Sequence, residues 1–488
     1  MERASTVVRV TDLLRRRAER YPDRVALNID GADALNYGDW QRRVDRTAHG
    51  LLAAGVTKGR RIGLLYGGMD WAEYAVAYLA VLGVGATAVH LSDRLGERET
   101  ERRLAECQVV GVIHGGPLRP PASFTGWSAE LSALDSGDET PVDVPLAPED
   151  IADVLYTSGT TGPAKAFTNP HGNLTFGRGP EGLLQFENPT PLLAPMPLGT
   201  TSSATTVAII AVTSPSALVL VAVDDVERMA ELISTHRIGS VMITPWIAMR
   251  MLAARIGERH DLSCVERVAI ASAPLAPALS RGLLKLFPAA ELNTAYSQSE
   301  AVPAVVVNTF DPARPGTLGR AARGTEVRIA DAQGTELPLG EVGEIQLRSA
   351  APDRRYLDAR RDAEVRIDGW IRTGDLGHLD EEGWLHLFDR GNDVLVGGAG
   401  LRVSSVAVEA ALYEHPAVRE AAVVAAGSGP AAVVVLEDPA VAGELPDFLA
   451  GLLDPHQLPV LVEARDALPR GITGKVLKRV LRQELADR

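Results

Sequence analysis

Tyr156-Thr157-Ser158-Gly159-Thr160-Thr161-Gly162-Pro163-Ala164-Lys165 is the stretch whose reading decides the fold. It follows the apolar run Ile151 to Leu155, which has the character of a buried strand. Hydroxyls at Thr157, Ser158, Thr160 and Thr161 are interleaved with Gly159 and Gly162, and Lys165 closes the string. Glycines let a main chain approach an anion and turn its N–H groups inward. Hydroxyls add donors, and a lysine adds a mobile point charge. A strand leading into such a loop has the chemistry of a polyphosphate cradle. It is not a Walker loop, which places four residues between its glycines and then Gly-Lys-Ser/Thr. Here only Thr160 and Thr161 separate Gly159 from Gly162. The competing reading is a Ser/Thr/Gly-rich surface loop.

The chain has 488 residues, room for roughly two to four domains. With 46% hydrophobic and 23% charged residues it has the composition of a soluble globular protein. A net charge of -14 argues against a broad basic surface for nucleic acid or an anionic membrane, and leaves room for a local basic patch. Cys107 and Cys264 are in no metal-like spacing, so a reduced, cytoplasmic protein without a disulfide framework is expected. Met1 to Arg20 carries charges throughout and lacks the apolar centre of a signal peptide. The most apolar region, Val207 to Val223, is interrupted by Thr213-Ser214-Pro215-Ser216. It reads as a buried helix, a turn and a strand, too broken for a membrane span.

Along the first third, strands and helices alternate. Thr11 to Arg20 is an amphipathic helix, Val25 to Ile29 and Ala34 to Tyr37 a strand pair, and Trp40 to Ala54 a helix. Strands follow at Arg61 to Tyr66 and Ala86 to Leu91, with helices at Trp71 to Leu82 and Gly96 to Ala105. Such alternation predicts a parallel sheet covered on both faces. Pro117 to Pro148, rich in Pro, Ser, Asp and Gly, reads as a surface connection. Further strand–helix units run from Leu218 to Leu275. A small terminal α/β region follows Asp393, with a helix near Ser405 to Leu412, strands near Ala421 to Ala425 and Ala432 to Leu436, and helices at Phe448 to Leu453 and Val476 to Leu485. The last helix is expected simply to pack this region.

Five further strings stand in order behind the loop: Asn293-Thr294-Ala295-Tyr296-Ser297-Gln298-Ser299-Glu300, Pro315 to Arg320, Gly340 to Ile345, Trp370-Ile371-Arg372-Thr373-Gly374-Asp375-Leu376 with Asp389-Arg390 beyond it, and Leu468-Pro469-Arg470-Gly471-Ile472-Thr473-Gly474-Lys475. Together with the loop they resemble the adenylate-forming superfamily of acyl- and aryl-CoA synthetases, peptide-synthetase adenylation domains and beetle luciferases. The resemblance covers nearly the whole chain. It implies a large N-terminal multi-sheet α/β domain over residues 1–391 and a small mobile C-terminal α/β lid over 392–488, hinged near Asn392. The glycines of the second and third strings read as tight turns of the architecture.

By the same resemblance, Thr157, Ser158, Gly159, Thr160, Thr161 and Gly162 cradle the ATP phosphates with Lys165. Thr294, Ala295 and Tyr296 lie at the nucleotide, the last two flanking adenine, and Ser299 bonds the α-phosphate. Glu300 holds Mg²⁺, which suits a hard carboxylate ligand. Asp375 accepts the ribose hydroxyls, Arg390 contacts ribose or phosphate, and Lys475 is the catalytic lysine stabilising charge as pyrophosphate departs.

The chain departs from the family pattern at its pocket. Gly199 and Thr200 stand where many members have an aromatic residue and a histidine, and Ala271-Ser272 where two glycines usually precede Ala273-Pro274-Leu275. Thr200, Ala271 and Ala273 are the expected pocket residues, with Thr200 alternatively a helix cap. No Asp or Glu lies between Gln185 and Asp224 except Glu187, which argues against an ordinary α-amino acid substrate. In Gly397-Gly398-Ala399-Gly400 of the transfer segment, glycines admit a pantetheine arm or simply bend a hairpin. The implied reaction is activation of a small carboxylic acid with ATP and Mg²⁺, followed by transfer to coenzyme A. A carrier-protein phosphopantetheine and a nitrogen nucleophile are alternatives, as is a catalytically retired nucleotide-binding relative. The acid and the oligomeric state stay open.

Overall fold

The computed structural model describes residues 9–157, 164–176, 190–213, 216–427, 429–471 and 474–486. Ser158, Gly159, Thr160, Thr161 and Gly162 lie outside the described residues. The chain forms two compact units. The first comprises Met1–Thr157, Lys165–Val241 and Ala351–Asp362, the second Ser158–Ala164, Met242–Ala350 and Ala363–Arg488.

The first unit contains a seven-stranded sheet in the order Arg355–Tyr356, Ala166–Pro170, Ile151–Tyr156, Thr87–Ser92, Arg61–Tyr66, Gly111–His114 and Trp127–Glu130. From Ile151–Tyr156 onward the neighbours are parallel. Parallel strands need covering on both faces, and their sequences are accordingly near-continuous apolar runs. Helix Trp71–Gly83 is apolar almost all round and buries Trp71, Tyr74 and Tyr78 completely. Ile151–Tyr156 is followed by the antiparallel strand Ala166–Pro170, so the chain leaves the carboxyl edge of this sheet at Thr157 and returns by Lys165. That is the edge at which open α/β sheets bind ligands. In the same unit Ala32–Asn36, Val25–Ile29, Leu218–Leu220 and Leu192–Leu193 form a second set of paired strands.

The second unit has a long, mostly antiparallel run: Thr325–Ala330, Gly343–Ser349, Trp370–Leu379, Leu385–Arg390, Thr317–Ala321, Val306–Thr309, Glu291–Tyr296 and Arg267–Ile270. Its last two members pair in parallel. Val306, Ile329, Ile345, Leu347, Ile371 and Leu385 form its core. Towards the C-terminus lies the three-stranded sheet Val418–Ala426, Gly429–Leu436 and Leu461–Ala464. Strand alternation splits its side chains between two cores. Val423 and Val434 pack with Leu412 of helix Ser405–Leu412 and Leu449 of helix Leu445–Ala450, whereas Val424 and Val433 pack with Leu481 of helix Lys478–Ala486.

The mixed α/β architecture expected from the sequence is present, with differences of detail. Pro117 to Pro148 is more than a connection, because Trp127–Glu130 adds an edge strand. Its signal is too short for periodicity, and it is anchored by the Trp127 ring lying over Gly111, where any Cβ would come within 2.0 Å of it. Gly319 is in no tight turn; it sits inside strand Thr317–Ala321 at φ +101, where the register against Leu385–Arg390 shifts. A Cβ there would also meet the Val307 carbonyl oxygen at 2.0 Å. Gly319→Ala is therefore expected to cost about 3 kcal/mol or more, read as a lower denaturation midpoint with unchanged slope.

Candidate functional site

Strands Arg267–Ile270 and Glu291–Tyr296 are parallel, with Ile270 opposite Thr294. Ala271 to Pro274 and Ser297 to Glu300 therefore leave the sheet at one edge. Further along the same sheet, in the antiparallel pair Trp370–Leu379 and Leu385–Arg390, Asp375 and Arg390 face each other directly across the ladder. Arg390 Nε donates to Asp375 Oδ1 at 3.2 Å. Tyr296 Oη donates to Asp375 Oδ2 at 2.9 Å, and Gln298 Nε2 donates to the same oxygen at 3.0 Å. Gln298 also donates to the Thr373 carbonyl at 2.6 Å. Thr373 Oγ1 accepts the Asp375 N–H at 3.1 Å and donates to the Ile345 carbonyl at 2.7 Å. The Asp375 carboxylate is buried, at 6% exposure, and oriented from several strands at once. Burial, and then the Asp375 charge, push the Tyr296 phenol well above its ordinary range.

Lys475 reaches the same place from the C-terminal segment. Gly471 N–H donates to the Lys475 carbonyl at 2.9 Å, and Arg470 Nη1 donates to the Gly474 carbonyl at 2.5 Å. Arg470 is paired in turn with Glu420 at 2.5 Å. Gly474, at φ +80, packs against the Trp246 indole, 3.0 Å from where a Cβ would stand. The Lys475 ammonium lies in the combined field of Arg390, Asp375 and Glu300. Burial lowers its pKa first and Arg390 lowers it further, while the two carboxylates only partly oppose them. Thus Lys475, Asp375, Arg390, Glu300 and Tyr296 converge.

Thr157 and Lys165 belong to the other unit. There they close the neck of the glycine loop: Thr157 N–H donates to the Lys165 carbonyl at 3.0 Å, and Lys165 N–H to Thr157 Oγ1 at 3.2 Å. The Lys165 ammonium is 5.8 Å from the Tyr356 ring centroid. Thr200 caps helix Thr201–Thr205: its hydroxyl accepts Ser203 N–H at 3.3 Å and donates to the Pro197 carbonyl at 2.9 Å. Thr294, Ser299 and Glu300 are half-buried and Ala295 is exposed. Ala271 is half-buried, and Ala273 is exposed. Asn392 is exposed, and Arg482 donates to its carbonyl at 3.4 Å. Gly397 is fitted to its own surroundings, since a Cβ would stand 1.9 Å from the His456 carbonyl oxygen, which favours the bent hairpin.

Residues 14–357 match the profile of the AMP-binding enzyme, and residues 407–475 that of the AMP-binding enzyme C-terminal domain. The chain belongs to the AMP-binding enzyme family. The resemblance to adenylate-forming enzymes drawn from the motifs is thereby borne out, as is the enzyme class. Among its relatives, feruloyl-CoA synthase of Amycolatopsis sp is 30% identical over 96% of this chain and 97% of its own. The 4-coumarate–CoA ligase of Pinus taeda is 28% identical over 96% and 94%. ATP-bound MatB from Rhodopseudomonas palustris superposes with a TM-score of 0.85 at 25% identity, covering 98% of this chain and 99% of that one. The o-succinylbenzoate CoA synthetase of Bacillus subtilis, with its acyl-adenylate, shares the fold at a TM-score of 0.81 and 24% identity, over 96% and 97%.

Among the described residues, no group of three or more His, Cys, Asp or Glu side chains could hold a metal ion. No described helix is long and apolar enough to cross a membrane. Sequence reading gave no role to Gln298, Thr373, Trp246 or Arg470. Gln298 lies inside the Tyr296–Glu300 string and was open to notice as a donor, whereas nothing near Trp246 points to Gly474. Ser272 has φ +89, a conformation that suits glycine, and it is exposed. Ser272→Gly is expected to raise stability by about 1 kcal/mol, measured by thermal or denaturant unfolding.

Proposed function

We propose that this enzyme activates an aromatic or arylpropenoic acid as its acyl-adenylate and transfers the acyl group to coenzyme A. The observation that carries the reading is the convergence of Lys475 on Asp375, Arg390 and Glu300. The names of the 30% and 28% identical relatives support the acid class and the acceptor. The lack of any Asp or Glu from Asn188 to Val223 supports an acid without an α-ammonium group.

In the first step a carboxylate oxygen attacks the α-phosphorus of ATP. The bond from that phosphorus to the bridging oxygen breaks, and pyrophosphate leaves. Asp375 accepts the ribose hydroxyls, held for this by Tyr296, Gln298 and Arg390. Lys475 supplies positive charge where negative charge gathers on the carboxylate and phosphates. Lys165 and the loop from Thr157 to Gly162 hold the departing phosphates, and Ser299 donates to the α-phosphate. Glu300, a hard oxygen ligand within the field of Lys475, is the residue that would hold Mg²⁺. Bound there, Mg²⁺ would neutralise phosphate charge. In the second step the coenzyme A sulfur attacks the acyl carbon and AMP leaves. The lid, residues 392–488, turns about Asn392 between the steps, withdrawing Lys475 and bringing in the hairpin Leu395–Val396/Arg402–Val403. Val396 and Leu401 on this hairpin are 60% and 51% exposed, apolar surface that a second lid position can cover.

Pyrophosphate–ATP exchange with a panel of carboxylic acids tests the reading, and exchange confined to aromatic and arylpropenoic acids is the expected result. Binding of ATP without exchange for any acid would count against it. Lys475→Ala is expected to lower exchange by about a hundredfold or more while sparing thioester formation from preformed adenylate; equal loss of both steps refutes the assignment. Because burial and Arg390 lower the Lys475 pKa, its charge is lost at a lower pH than in an ordinary lysine. The alkaline fall of kcat/KM for ATP, which reports the free enzyme, should therefore begin below the usual lysine range and disappear in Lys475→Arg. Glu300→Gln should raise the Mg²⁺ concentration needed for half-maximal exchange by about tenfold, with unaltered unfolding.

A further inference from the structure

The strand Leu385–Arg390 ends just before the proposed hinge at Asn392, and helix Ser405–Leu412 begins after it. Direct bonds span the two. Ser405 N–H donates to Asp389 Oδ2 at 2.5 Å, and Ser405 Oγ donates to Asp389 Oδ1 at 3.1 Å. Ser404 Oγ donates to the Phe388 carbonyl. Lys478 Nζ donates to Ser405 Oγ at 2.7 Å and is paired with Glu409 at 2.7 Å. Asp389 and Ser405 are buried, at 1% and 0% exposure. Arg482, on the same helix as Lys478, pairs with Asp393.

These bonds join two parts of the proposed catalytic apparatus. Asp389 immediately precedes Arg390 and accepts its N–H at 2.7 Å. Lys478 lies three residues beyond Lys475 in sequence and opens the last helix. Glu409 and Lys478 lie on the same side of Asn392 and would move together, whereas Asp389 lies on the other side. Turning the lid must therefore separate Asp389 from Ser405 but leaves Lys478 its counter-ion. The final helix thus does more than pack the lid, the role expected from sequence.

We propose that Asp389, Ser405 and Lys478 form a latch that holds the lid in the adenylate-forming position, with Ser405 as the bond that opens. Ser405 is a positioning residue, acting on Lys475 and Arg390 through the lid and touching no reactant. The proposal rests on the two-step reading above. A purely architectural role would have the same groups only complete the helix N-terminus, where a carboxylate is favourable in any case.

Ser405→Pro separates the two. Ser405 is the first residue of its helix, where proline is tolerated, and Ser404 has φ -80 and ψ 119, a conformation allowed before proline. The substitution removes both bonds to Asp389 and keeps the cap by Ser404. Ser405→Ala removes the hydroxyl alone and serves if the proline variant does not fold. With full-length enzyme, adenylation read by pyrophosphate exchange should fall about tenfold relative to thioester formation from preformed adenylate, the effect of losing a charge-assisted hydrogen bond. Both half-reactions falling by one factor, or neither changing, overturns the latch. Amide hydrogen exchange of residues 388–409 in nucleotide-free enzyme gives a readout without turnover. It should quicken about tenfold in Ser405→Ala, and unchanged exchange overturns the latch even if the wild-type enzyme activates none of the acids tried.

Discussion

The buried carboxylate of Asp375 is the constraint on which the site depends. A carboxylate at 6% exposure must be matched by hydrogen-bond partners, and here they arrive from three places: Arg390 across the ladder, Tyr296 from a strand further along the sheet, and Gln298 from the loop beyond it. Each donor is therefore positioned by the need to satisfy Asp375, and each brings a neighbour of its own: Tyr296 the segment to Glu300, Arg390 the approach to the hinge. The carboxylate charge also partly offsets the burial that lowers the Lys475 pKa. One buried carboxylate thus orders this part of the site.

In the other unit, the strand Ile151–Tyr156 has a comparable foundation. Asp153 lies on it and is fully buried, accepting a hydrogen bond from Tyr78 Oη. Burial pushes its carboxyl up to about 6 and pushes His90 down to about 3. Tyr74 Oη lies 2.8 Å from His90 Nδ1. Polar side chains inside an otherwise apolar sheet and helix give the strand one register, because displacement would leave these groups without partners. Beyond the strand, Thr157 and Lys165 are joined by reciprocal bonds.

Legibility in the sequence followed the range of the interaction. Apolar runs such as Ile151 to Leu155, and strand–helix alternation through Arg61 to Ala105, depend on neighbours in the chain, so the elements were readable to within a few residues. Trp127–Glu130 was missed because its stability comes from a distant partner, Gly111, and its four residues carry no period. Thr200 is spent on a helix cap, one of the two roles its local sequence allowed. Gly319 and Ser272 show the same limit from the backbone side: residue type indicates permission or strain, but only the ladder tells which φ is imposed.

What the sequence determined by itself was the family, the mixed α/β class and the identity of the charged residues, because ordered strings of glycine, hydroxyl, carboxylate and lysine record a chemistry directly. The tertiary structure alone decided which of these groups share one space. Asp375, Arg390, Glu300 and Lys475 come from separate strings of the chain, and their charges act on one another only after strands and the C-terminal segment bring them into one field. The bonds between Asp389 and Ser405 are of the same kind. Coulomb and hydrogen-bond energies fall steeply with distance, so a sequence can name such partners but cannot pair them.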